Sequence, residues 1–84
     1  MTQEDLQVAV HTRPFAPFRL LVSTGISFDI HHPDQIAVER RSVEVVVTHE
    51  RDGVPHHRSV RIDLLHVVAI EELPASGAAT NGTS

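Results

Sequence analysis

The sequence predicts a mainly β domain with one N-terminal helix, its five to six short antiparallel strands curled into a small barrel. Three observations predict it. From Phe18 to Glu72, apolar residues recur at every second position in short runs, the period of a half-buried strand. The runs are punctuated at Thr24-Gly25, His32-Pro33-Asp34, Arg40-Arg41-Ser42 and Asp52-Gly53, which are turn chemistries. Only the first dozen residues carry helical spacing. A chain of 84 residues has room for one core, so residues 1–73 form a single domain.

The helix is expected over residues 2–12. Thr2 and Asp5 stand at capping-box spacing, and the early acids suit the positive end of a helix. Leu6, Ala9 and Val10 make one apolar stripe. Arg13, preceding Pro14, is pushed out of helical geometry and ends the element. So short a helix is marginal alone, so its stripe must dock on the sheet. The connector Arg13-Pro14-Phe15-Ala16-Pro17-Phe18 is extended, and Phe15 and Phe18 plug the space between helix and sheet.

The strands follow in order. Phe18, Leu20 and Val22 share one face. Ile26, Phe28 and Ile30 face inward after the first turn, with Ser27, Asp29 and His31 outward. Ile36 and Val38 continue, and Val43, Val45 and Val47 face in after the arginine bend. Residues 49–57, holding Asp52-Gly53 and Pro55, read as a polar hairpin loop. Val60 and Ile62 form another strand. His66 to Glu72 closes the sheet with Val68 and Ile70 inward. A sheet this small with one apolar face either curls into an SH3-like barrel or lies open under a helix. Residues 74–84 have no periodicity and no large apolar group, the composition of a disordered tail.

Composition excludes several functions. The chain has no Cys, which removes disulfides, thiolate metal sites and Cys nucleophiles. No apolar run reaches the ~20 residues of a membrane helix, and the acidic start is unlike a secretory leader; a cytoplasmic location is expected. Net charge is −4, every basic residue is Arg, and Trp and Tyr are missing, so a broad nucleic-acid face with stacking aromatics is poorly supplied. No nucleophile elbow, phosphate-cradling loop or paired-carboxylate motif is present, so no enzyme and no cofactor is expected.

The seven His residues include two adjacent pairs, His31-His32 and His56-His57. Neighbours on a strand point to opposite faces, so each pair offers one donor per face. His31 and His57, with Asp29 near, are the candidate metal ligands if their strands lie side by side; surface histidines beside turns are the plainer account. Arg40 and Arg41 flank a bend, where guanidinium groups can meet phosphate or carboxylate, although Glu39 and Glu44 stand close in sequence. Val46 is apolar between Glu44 and Thr48 on the outer face, as an interface residue would be.

The order of helix, Phe-Arg-Leu-Leu-Val-Ser-Thr-Gly, Pro-Asp-Gln-Ile-Ala-Val and Leu-His-Val-Val-Ala-Ile resembles the Sm-like fold and its bacterial RNA chaperones, over roughly residues 4–73. That resemblance implies a bent five-stranded barrel, ring-shaped oligomers and an RNA site at Gln35 and His66, with Arg40 and Arg41 near it. The stacking Phe of that family is Ile36 here, and its Lys is Leu65. The chain also resembles small uncharacterised bacterial proteins with an Arg-Pro-Phe-x-Pro-Phe-Arg start, which imply no activity. The expected function is a non-catalytic interaction module that self-associates as a homo-oligomer or docks a protein partner. RNA binding of the Sm-like kind is the alternative.

Overall fold

The computed structural model describes residues 1–74; the expected tail lies outside the described residues except for Pro74. Helix α1 covers Gln3–His11. Thr2 caps it, its Oγ1 accepting from the Asp5 amide at 3.2 Å. At the other end the Thr12 hydroxyl donates to the Val8 carbonyl at 2.6 Å. Leu6 and Val10 are buried, and Ala9 packs against the same core, so the predicted stripe does dock. The helix lies against the short strand Ile36–Val38.

Six strands follow: β1 (Phe18–Val22), β2 (Ser27–Ile30), β3 (Ile36–Val38), β4 (Ser42–Arg51), β5 (Val54–Asp63) and β6 (Val67–Glu72). They form two three-stranded antiparallel sheets, ordered β2-β1-β6 and β3-β4-β5. Among the described residues no ladder joins the sheets into a closed barrel. Short 3-10 turns, Pro33–Gln35 and Leu64–His66, carry the chain between sheets.

The turns explain the ladders. Gly25 sits at φ 91°, and its amide bonds the Val22 carbonyl at 2.8 Å while Val22 N–H bonds the Ile26 carbonyl at 2.9 Å. This is a three-residue hairpin loop whose last position needs a left-handed backbone. Asp52 and Gly53 have φ of 54° and 76°, the two left-handed positions of a two-residue hairpin.

That tight turn overturns the expected loop at 49–57. β4 and β5 each run ten residues, paired continuously from Ser42↔Asp63 to Arg51↔Val54. Pro55 does not interrupt the ladder, because β5 is an edge strand and Pro55 lies opposite Glu50 at a non-bonded position. The strands are therefore not uniformly short.

Two inward assignments are also corrected. Ile26 is 57% exposed, because it lies at the loop end of β2, beyond the paired run that begins at Ser27. Val68 is 59% exposed while Val67 is 1% exposed. The register jumps from Leu21↔Ala69 to Val22↔Val67, so β6 carries one extra residue there. Such a bulge breaks the alternation. The last strand begins at Val67, and His66 belongs to the preceding 3-10 turn.

The core lies between the two sheets and α1. Leu6, Leu20, Ile30, Val43, Val45 and Val67 are its most completely buried side chains. Each contributes about 1.5–3 kcal/mol by leaving water. Phe18 is buried and meets half-buried Phe15, ring centroids 6.0 Å apart at 53°, the tilted contact that aromatic pairs favour.

Candidate functional site

The site is built where the two sheets fail to join. β3 is three residues long and covers β4 only from Val43 to Val45. Before it, His31, His32 and the turn Pro33–Gln35 leave the ladder. Open grooves form along the gap. One, of about 290 Å³, is lined by Ser27, Phe28 and Asp29 of β2 and by Val45 to Thr48 of β4, with His31 and Gln35 at its end. A second, of about 480 Å³, holds His31, His32, Asp34, Gln35, Val46, Thr48 and His57.

His31 and His57 do line one groove. The His57 ring is engaged across the β4–β5 ladder, where Thr48 Oγ1 and His57 Nδ1 lie 3.0 Å apart. Among the described residues, no group of three or more His, Asp and Glu side chains is placed to hold a metal ion. Another His pair is closer. His49 and His56 face each other across the ladder and stack with centroids 5.6 Å apart and planes 22° from parallel.

Gln35 lines the same gap, and its side chain is engaged. Its Oε1 accepts from the His31 and His32 amides at 2.7 and 2.9 Å. It thereby satisfies two backbone donors where the chain leaves β2, a structural duty. Arg40 and Arg41 lie in the three-residue link between β3 and β4, closed by Glu39 N–H donating to the Ser42 carbonyl at 2.8 Å. Both are exposed and line a different groove, of about 490 Å³, with the start of α1 and Asp63, Leu64 and Leu65. His66 is held beside the β1–β2 turn, where its Nδ1 lies 3.1 Å from Ser23 Oγ and its carbonyl accepts from Ser23 N–H at 2.7 Å. The fold thus joins Gln35 with His31 and His57, and sets Arg40 and Arg41 in another groove.

The charged pair Arg19–Asp29 lies on the outer face of the first sheet. Arg19 Nε donates to Asp29 Oδ1 at 2.7 Å and a terminal nitrogen to Oδ2 at 3.3 Å. The hydrogen bond from Arg19 holds the Asp29 carboxyl below the usual range, against partial desolvation that pushes it up. The same bond raises the Arg19 guanidinium. Glu71 approaches Arg19 at 3.9 Å from the other flank. The three-residue loop 23–25 sets Arg19 opposite Asp29; a two-residue turn at Thr24-Gly25 would have paired residue 19 with 30, so the structure decided this contact.

What sequence reasoning missed is the free length of β4. Val46, singled out as an outer apolar residue, is half-buried and lines both gap grooves. The signal was the Asp52-Gly53 pair, which marks a tight hairpin and therefore long strands. Exposed Leu65, at 86%, was the other unrecognised feature. No helix among the described residues is long and apolar enough to cross a membrane. No family model, curated relative or solved structure matches this chain.

Proposed function

We propose that this chain is a non-catalytic interaction module of the SH3-like or Sm-like kind, which self-associates or docks a protein partner through unpaired strand edges. The observation that carries the reading is the ribbon from Val46 to Ser59. Among the described residues it is two strands with no third paired beside them, and residues 48–59 are all exposed. A two-stranded ribbon is marginally stable in water unless something covers it, and exposed edges are templates for pairing with another chain.

The strand order supports the small-barrel reading. β2 and β3 are consecutive, separated by one 3-10 turn, and lie in different sheets, as the two halves of one bent strand shared by both sheets would. A second 3-10 turn precedes the last strand. A domain with so small a core also gains much from oligomerisation.

Size-exclusion chromatography with light scattering tests the reading. The chain has no Trp or Tyr, so a pure assembly is nearly dark at the usual ultraviolet wavelength. The expected result is a dark assembly larger than the 9.3 kDa monomer. A monomer throughout the accessible concentration range would refute self-association. A ring-sized assembly carrying a strong ultraviolet passenger would replace this reading with the RNA-binding one.

A further inference from the structure

β4 is covered unequally on its two sides. Its register with β3 ends at Ile36↔Val45, whereas its register with β5 runs on to Arg51↔Val54. The tight turn decides which backbone groups face where. Arg51 and Val54 flank it and exchange the first ladder bonds, so Val45, Val47, His49 and Arg51 direct their N–H and C=O at β5. Val46, Thr48 and Glu50 direct theirs to the opposite side. Ser42 confirms the phase, since its carbonyl accepts from Glu39 on the β3 side. No strand stands beside Val46, Thr48 and Glu50 on that side among the described residues.

A groove of about 290 Å³ runs along this edge, with β2 as its far wall. The outer edge of β5 is blunted by Pro55, whose missing N–H falls on the outward side. The β4 edge has no proline, glycine or lysine.

The side chains beside the edge change character along it. On the inner face Val43 and Val45 are core and Val47 packs against it. Beyond them come His49 and Arg51, with His56 and Arg58 on the same face of β5. A surface hollow of about 360 Å³ is lined by Val47, His49, Arg51 and Arg58. Alternation and register place no carboxylate on this face of the ribbon. Neither Arg51 nor Arg58 is in an ion pair among the described residues.

We propose that the outer half of β4, Val46–Arg51, is a strand-addition site for an extended acidic segment of a partner protein, apolar beside Val47 and carboxylate-bearing beside His49 and Arg51. The proposal rests on the interaction-module reading and names its edge and the partner's chemistry. Backbone bonds to Val46, Thr48 and Glu50 hold the segment, and alternate side chains read the inner face. Run antiparallel to β4, the segment has the order acidic, any, acidic, any, apolar. Arg51 suits a carboxylate because its planar fork donates two parallel bonds.

A fluorescein-labelled peptide with the core Glu-Thr-Glu-Thr-Val, titrated with the full chain by anisotropy, tests it against a Lys-Thr-Lys-Thr-Val counterpart. The acidic peptide should bind saturably and weaken as salt screens the pairing, and the basic one should not bind. Thr48→Pro should abolish binding, since it removes an N–H on the open side while sparing the bonds to β5. Arg51→Glu, which leaves the backbone edge intact, should weaken the acidic peptide about tenfold or more by setting like charges opposite each other. Equal affinity for the two peptides, or unchanged binding by the folded Arg51→Glu variant, overturns the proposal. Light scattering on the same samples separates the two readings. An assembly that ignores the acidic peptide overturns the edge assignment alone, and a monomer that ignores it overturns the interaction module too.

Discussion

Val67 and Val68 are adjacent, identical in type and placed on the same strand, yet truncating them should have very different consequences. Val67 is 1% exposed and Val68 59% exposed, because the bulge opposite Val22 makes Val68 the extra residue. Val→Ala removes two methyl groups. At Val67 the lost transfer energy is about 1.6 kcal/mol, and the cavity left behind raises the cost to roughly 2–3 kcal/mol. A domain of this length has about 4–13 kcal/mol of stability in all. At roughly 4–8 °C per kcal/mol, Val67→Ala should lower Tm by about 8–24 °C. Val68→Ala should move it by only a few degrees. Both variants lose the same β-branched side chain, so intrinsic strand preference largely cancels in the difference. Far-ultraviolet circular dichroism is the assay, since a chain without Trp or Tyr has little usable fluorescence. The reverse order, with Val68→Ala the more destabilised of the two, would refute the bulge and restore the uninterrupted alternation.

Gly53→Ala meets no atom within 4 Å of the new Cβ, but φ is +76°, so the expected loss of about 1–2 kcal/mol is purely backbone; an unchanged melt would refute the tight turn. Thr2→Ala removes the cap that accepts from Asp5 and should cost about 1 kcal/mol, read from the same melts. Arg19 holds the Asp29 carboxyl below its ordinary value, so the pair stabilises the fold at neutral pH and loses that contribution as pH falls through the lowered value. Asp29→Asn should therefore melt below the parent at pH 7 and converge with it in strong acid. A gap that widened on acidification would contradict the assignment.

Much of the fold was legible because strand and helix periods leave direct marks on residue order. The α1 stripe, the Phe15–Phe18 plug and the inward faces of β1 and β4 follow from spacing alone. The errors have two causes. Alternation assumes an unbroken ladder, and Ile26 and Val68 lie where a loop or bulge resets it. Residues 49–57 stay in an unbroken ladder about a tight turn, but their polar, exposed side chains carry no buried face to mark them as strand. Candidate site residues were less legible. Gln35 looked like a ligand-binding amide, but its oxygen serves the His31 and His32 N–H groups, a demand created by the path of the chain. His49 and His56, seven residues apart, become stacked neighbours only because the hairpin folds about Asp52-Gly53.

By itself, the order of residues determined a β-rich domain with one capped helix, its turn positions and most of its core, since these depend on local periodicity, turn chemistry and caps. Tertiary structure alone decided that the strands divide into two sheets, that β3 stops after three residues, and that β4 is left with one open side. Backbone pairing is a relation between distant segments, and the side-chain pattern of a strand records which face is buried, while its hydrogen-bonding edges carry no mark of whether a neighbour arrives.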